Sequence, residues 1–225
     1  MSDTPTKKKA LIVWGGWPGH TPKESAEVCA TALTDRGYDV TVKDTLDAYL
    51  DESLMGSLDL IVPIWTMGEI SKEQWAALNS TVQSGVGLAG FHGGMIDAFR
   101  SNTEYQWMTG AQWVAHPGGC IERYRVYISD DAHPITAGLD DFDLLNTEQY
   151  YCHTDPGNNI LCHTIFDQGH ENPSLYTQGA VMPYAYTKTW GKARVFCAMW
   201  GHTDKDFDIE EAKEIVVRGM EWATK

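Results

Sequence analysis

The chain is poor in positive charge. Lysine and arginine number 17 against 31 aspartates and glutamates, so the net charge is −14 with histidine neutral. Binding a polyanion needs a basic face to neutralise phosphates. Nucleic acid is therefore excluded as a partner, and an anionic membrane surface is disfavoured. No apolar run reaches the roughly 18 residues that would cross a bilayer. Residues 1–9 are polar and then basic, without the apolar segment of a secretory leader. Cysteine is scarce and unpatterned: Cys29, Cys120, Cys152, Cys162 and Cys197 are five, with no C-x-x-C pair. That disfavours a disulfide framework or a zinc knuckle and suits a reducing, cytoplasmic setting. H-E-x-x-H and EF-hand spacings are missing, and Gly15-Gly16-Trp17-Pro18-Gly19 matches neither G-x-G-x-x-G nor a P-loop. Nucleotide binding is thus disfavoured. There is no internal repeat, low-complexity tract or linker. The expectation is one domain over residues 1–225, with 1–8 a flexible tail, large enough to bury about 70% of its unfolded surface.

What is present is an alternation of strand and helix signals. Ala10-Leu11-Ile12-Val13-Trp14 is a continuous apolar run closed by glycine, which suits a central parallel strand. Thr21-Pro22-Lys23-Glu24 starts a helix, with Thr21 as N-cap and proline at the first helical position, and Gly37 stops it. Strands are expected over 38–42 and 58–63, a helix from Ser71 to near Gly85, and a strand over 86–91. Beyond this the pattern loosens. One or two helical turns are expected at 95–99 and again at 105–108. Strands follow near 124–128, 160–166, 184–187 and 194–200, with a polar loop over 167–178 and a last helix over 209–223. The alternating first half implies α/β architecture and a parallel sheet with right-handed crossovers. Ligands of such sheets sit at the carboxyl ends of the strands. Three loops meet that condition: residues 15–20, 65–69 and 92–97.

The stretch Gly90-Phe91-His92-Gly93-Gly94 has the outline of a nucleophile elbow, in which a tight strand-to-helix turn lifts one side chain above the sheet. Serine or cysteine at its tip would make a hydrolase. His92 stands there instead, a residue suited to proton transfer or metal binding. His202-Thr203-Asp204 follows a second buried strand, and Asp204 is placed to orient the imidazole of His202. The competing reading makes Asp204 a helix cap. His20 and His116 lie in loops and are even choices between lining a site and solvation, whereas His133, before Pro134, suits a turn and His153, His163 and His170 have weaker cases. Glu148, beside Tyr150 and Tyr151, is a candidate general acid or base. Nine tryptophans and ten tyrosines are a surplus. Most will pack in the core, but Trp17, Trp65, Trp113 and Tyr150, with Glu69, are candidate substrate contacts. Three histidines from distant loops around a divalent ion would form a Lewis-acid centre. His20, His92, His116 and His202 are the candidate ligands and zinc the candidate ion.

Together the Gly87–Gly94 strand and elbow, His116-Pro117, His133-Pro134-Ile135, Glu148-Gln149-Tyr150 and the Gly191–Phe196 segment leading to Gly201-His202 resemble the ThuA-like, trehalose-utilisation family. The resemblance spans nearly the whole chain. It implies a three-layer, flavodoxin-like α/β fold with a mainly parallel central sheet, akin to class I glutamine amidotransferases. Those enzymes carry cysteine at the elbow and a histidine-proline-glutamate run after the late strand. This chain has His92 and His202-Thr203-Asp204, so a glutaminase thioester is excluded. The resemblance further implies that His92 and His202 face each other, and that the substrate is a small carbohydrate, a 3-keto sugar or its glycoside, cleaved by a hydrolase or lyase. The catalytic set is then His92, His202, Glu148 and Asp204. A non-catalytic sugar-binding or regulatory protein is the alternative. A cysteine hydrolase using Cys120, Cys152 or Cys197 is a third, although none sits at an elbow. A homo-oligomer is compatible with all three.

Overall fold

The first strand, β1 (Lys9–Gly16), is flanked on both sides and completely buried from Ala10 to Val13, as its unbroken apolar run requires. The computed structural model describes residues 7–166 and 179–225. The polar segment expected over 167–178, with His170, and residues 1–6 of the expected tail lie outside the described residues.

After β1 come α1 (Pro22–Asp35), β2 (Asp39–Lys43), the short α2 (Glu52–Met55), β3 (Leu60–Thr66), α3 (Lys72–Ser84) and β4 (Gly87–Phe91). The looser half supplies α4 (Thr103–Thr109), β5 (Ala111–Ala115), β6 (Cys120–Ile128), β7 (Phe142–Glu148), β8 (Tyr151–Thr154), β9 (Asn159–Ile165), β10 (Val181–Trp190), β11 (Ala193–Ala198) and α5 (Glu210–Ala223). Nine strands form one sheet in the order β2-β1-β3-β4-β11-β10-β9-β6-β7. Its first five strands pair in parallel. The remaining four extend it by antiparallel pairing. The expected parallel sheet is therefore the half that carries the elbow. The antiparallel half was invisible in the early alternation, because β6, β7, β9 and β10 follow one another without intervening helices among the described residues. The small pair β5-β8 lies apart.

Helices cover both faces. Phe196 and Cys197 are neighbours on β11 and point to opposite sides. Phe196 presses on α5, where a Cβ at Gly219 would stand 2.3 Å from its ring. Across the sheet, α3 and α4 pack through Trp75 and Tyr105, whose ring centroids are 6.1 Å apart. Ser71 and Gln74 cap α3 reciprocally, at the helix start that the sequence places at Ser71. Thr21 departs from expectation. It stands at the N-cap of α1 but makes no cap bond; its hydroxyl accepts from the backbone N–H of Asp204 at 2.9 Å. The residue thus ties the first loop to the loop after β11.

The elbow depends on close backbone approach. A Cβ on Gly94 would lie 2.2 Å from the carbonyl oxygen of Pro63 and 3.0 Å from Cα of Ile64, both rigid parts of β3. Gly94→Ala is expected to cost about 1–3 kcal/mol, the usual penalty of overpacking. Urea unfolding measures it, and an unchanged midpoint would contradict this contact.

Candidate functional site

His92 closes β4 with φ 44° and ψ −130°, a conformation that side chains other than glycine rarely adopt. Such strain is what lifts an elbow residue off its strand. A π-helical turn, Gly93–Asp97, follows. Gly93 is required here, because a Cβ would meet Thr66 Oγ1 at 2.2 Å and His20 Nδ1 at 2.8 Å. His20 ends the turn Pro18–His20 after β1, and His202 lies just beyond β11. All three imidazoles therefore stand at carboxyl ends of parallel strands. Glu148 comes from the other half of the sheet, at the end of β7.

These four residues converge. The carboxylate oxygen Oε2 of Glu148 is 3.3 Å from His92 Nε2, 3.3 Å from His202 Nδ1 and 3.8 Å from His20 Nε2. One donor atom from each of the four residues lies within 4.8 Å of all the others. That spread is close to what bonds of about 2.0–2.2 Å to a single ion allow. His116 joins from the side, with Nε2 3.5 Å from the second oxygen, Oε1. The rings of His92 and His202 are 5.5 Å apart, so the expected facing pair is present.

Hydrogen bonding fixes one tautomer. His92 Nδ1 is 3.0 Å from the carbonyl oxygen of Met199, which can only accept. The ring proton is therefore on Nδ1, and Nε2 presents a lone pair to Glu148. Burial holds the His92 imidazole neutral, down to about 3 from the ordinary 6.5. Burial also pushes the Glu148 carboxyl up, but the surrounding imidazoles of His20, His202 and His92 outweigh it, and the group stays well below the usual carboxylate range. A bare imidazole nitrogen thus faces an anionic oxygen. His92 Nε2, His202 Nδ1 and Glu148 Oε2 are all buried without a hydrogen-bond partner among the described residues. A shared cation relieves that arrangement, and a three-histidine, one-carboxylate donor set suits zinc or a similar first-row ion.

The cluster forms the floor of a cavity of about 260 Å³ lined by Trp17, Met67, Asp97, Arg100, Trp113 and Tyr150, with His20, His116 and Glu148. Tyr150 stacks on His92, centroids 3.9 Å apart. Two roomier surface hollows, of about 400 and 470 Å³, touch neither His92 nor Glu148.

Of the residues singled out in the sequence, His20, His92, His202 and Glu148 are brought together. Trp17, Trp113, Tyr150 and His116 line the cavity. Three expectations need correction. Asp204 does not orient His202: its carboxylate pairs with Lys205 at 3.1 Å. The carboxylate that braces this loop is Asp206, whose Oδ2 accepts from the backbone N–H of Gly201 at 2.8 Å, the backbone N–H of His202 at 3.0 Å and the hydroxyl of Thr147 at 3.0 Å. Trp65 packs against Gly15 and Gly68, and neither it nor the exposed Glu69 lines the cavity. Glu148 sits among the proposed metal ligands, whereas His116 contacts only its outer oxygen. Cys120 does approach His202 Nε2, at 3.5 Å, but burial and then the carboxylates of Glu148 and Asp206 push its thiol up. Cys152 and Cys197 are buried, their thiols raised by burial. No ready thiolate exists for a cysteine hydrolase. Thr66, Asp97, Arg100 and Asp206 were not foreseen. For Asp97 the only signal was its place at the end of the elbow loop.

The fold and this site define an α/β protein with a histidine–carboxylate centre at a sheet edge. The ThuA family, described as trehalose utilisation, matches residues 9–223, and the chain belongs to that family. Among solved structures, a ThuA-like protein of Bacteroides uniformis superposes with a TM-score of 0.80 at 15% identity, covering 99% of this chain and 94% of that one. A ThuA-like protein of Parabacteroides merdae gives 0.78 at 21% identity, over 97% and 90% of the two chains. A protein of Salmonella typhimurium described as cytoplasmic gives 0.65 at 14%, over 96% and 100%. No functionally curated protein matches. No helix among the described residues is long and apolar enough to cross a membrane.

The buried neutral imidazole has a consequence for stability. Between pH 6.5 and about 3 the unfolded chain takes up a proton at His92 that the folded chain refuses, so stability falls as pH falls through that window. Glu148 acts in the same direction, its contribution being lost below the ordinary carboxylate range. In chelator-treated protein, the unfolding free energy is expected to drop by up to ~1.4 kcal/mol per pH unit for His92 alone. His92→Gln should flatten the slope, as followed by urea titration at several pH values. Identical slopes in both proteins would refute the assignment.

Proposed function

We propose that the protein is an enzyme of carbohydrate catabolism that cleaves an oxidised, 3-keto sugar or glycoside as a hydrolase or lyase, with a divalent metal held by His20, His92, His202 and Glu148. One observation carries the reading: three buried atoms, His92 Nε2, His202 Nδ1 and Glu148 Oε2, converge with no partner among the described residues. The family supports the carbohydrate class, and the aromatic cavity above the cluster supports a ring-shaped ligand. We also read the parallel half, with its strand order β2-β1-β3-β4-β11, as the flavodoxin-like arrangement of the amidotransferase superfamily. The cell compartment proposed is the cytoplasm.

A divalent ion at this centre supplies Lewis-acid charge for a developing oxyanion. The remaining chemistry falls to side chains. A C3 carbonyl acidifies the C2 proton of the sugar. We assign that proton to His116, a cavity-lining imidazole whose side chain is 37% exposed. Glu148 is a poor base, because its neighbours keep it ionised. As C2–H breaks, its electron pair forms the enolate with C3. The pair then returns to expel the C1 substituent, and the C1–O electrons leave on the aglycone oxygen, which is protonated in turn. His92, neutral and locked by Met199, keeps its lone pair on the centre throughout.

His92→Ala is expected to lose the bound metal, measured by elemental analysis of the purified protein, together with turnover of 3-keto glucosides. His116→Ala is expected to retain metal and lose roughly 10²–10⁴ in kcat. Full turnover in the metal-free wild type would overturn the metal assignment. Saturable sugar binding without product would make the protein a binder rather than an enzyme.

A further inference from the structure

The mouth of the cavity holds a charge pair that the cluster does not use. Asp97 is buried, with 3% exposure, and ends the π-helical turn that His92 begins. Three residues on, Arg100 donates from Nε and Nη2 to the two oxygens of Asp97, at 2.5 and 3.0 Å. The guanidinium carbon stands 4.3 Å from the centroid of the Trp113 ring. Half of the Arg100 side chain is exposed, and its Nη1 has no hydrogen-bond acceptor among the described residues. All three residues line the same cavity as His20, His116 and Glu148.

We propose that the Asp97–Arg100 pair, backed by Trp113, is the subsite that reads the hydroxyl groups of a neutral sugar ring. The proposal rests on the sugar reading above. A free guanidinium selects a carboxylate or phosphate. This one is neutralised by Asp97, and the anionic Glu148 shares its cavity, so an anionic ligand is disfavoured. What remains for a ligand is the pair of N–H donors on Nη1 of the half-exposed Arg100, its charge offset by the buried Asp97. Ring hydroxyls match it, because their oxygens accept without bringing charge. Trp17, 44% exposed, gives an apolar face to the same cavity for the C–H surface of the ring. At about 260 Å³ the cavity is smaller than the roughly 300–1,000 Å³ of drug-sized sites. It seats a single ring, leaving an aglycone or second sugar outside.

The test titrates the protein as purified with methyl 3-keto-glucoside and with glucuronate, following tryptophan fluorescence, with bound metal measured in the same samples. The wild type is expected to prefer the neutral ketoside. Arg100→Met should weaken it by roughly tenfold or more, as loss of hydrogen bonds from a charged group does, with metal content unchanged. Asp97→Asn should weaken the ketoside and strengthen glucuronate, because the guanidinium then lacks its counter-charge. Should Asp97→Asn fail to fold, by near-ultraviolet circular dichroism, the half-exposed Arg100→Met decides alone. Equal ketoside affinity in wild type and Arg100→Met overturns the subsite and leaves the sugar reading standing, as does a wild type that binds the ketoside but prefers glucuronate. A wild type that binds neither sugar overturns both.

Discussion

Glu148 is a carboxylate removed from water and ringed by imidazoles, and the architecture of this edge follows from that. A buried anion is tolerated only when something compensates it. His92 cannot do so as a hydrogen-bond donor, since its proton is committed to the Met199 carbonyl. His202 and His20 approach the same oxygen with their ring nitrogens. The arrangement is complete only with a positive charge at its centre, whether proton or metal ion, and the donor set is one that first-row divalent ions accept.

Holding four donors in place draws on both halves of the sheet. The parallel half provides His20, His92 and His202 from the carboxyl ends of β1, β4 and β11, where the loops are free of ladder bonding and side chains can turn upward. The strained backbone at His92 and the bare Cα of Gly93 let the elbow approach Thr66 and His20. The antiparallel half delivers Glu148. Asp206 couples the two, accepting from Thr147, one residue before Glu148, and from the backbone at His202. It is buried, and that burial raises its carboxyl, although the hydrogen bonds from Gly201, Thr147 and His202 oppose the rise. The carboxylate that holds the His202 backbone is thus two residues further along the chain than the one the histidine-x-carboxylate spacing singled out.

Function divides between floor and mouth. The floor concentrates lone pairs on one point and is suited to hold a charge. The mouth presents aromatic faces and a neutralised Asp97–Arg100 pair, suited to a polar ring without net charge. His116 stands between them, touching Glu148 on one side and the open cavity on the other. A thiol in place of His92 would bring nucleophilic chemistry to this position. An imidazole locked by a backbone carbonyl brings a ligand.

Much of this was legible along the chain. The apolar runs of β1, β3 and β4, the helix start at Ser71 and the glycine-flanked elbow are local features, and local sterics and hydrogen bonding decide them. So the α/β alternation and the placement of His92 and His202 at strand ends could be read from the sequence, whereas His20 was an even choice between the site and solvent. The antiparallel extension, the use of Asp206 in place of Asp204, and the pairing of Asp97 with Arg100 above Trp113 could not. Each of these depends on which atoms meet after residues far apart in the chain have been packed together. Glu148 shows the difference most plainly. Its residue type and aromatic neighbours marked it as a candidate acid or base, but only the tertiary packing of the end of β7 decided that it would share one point with three histidines.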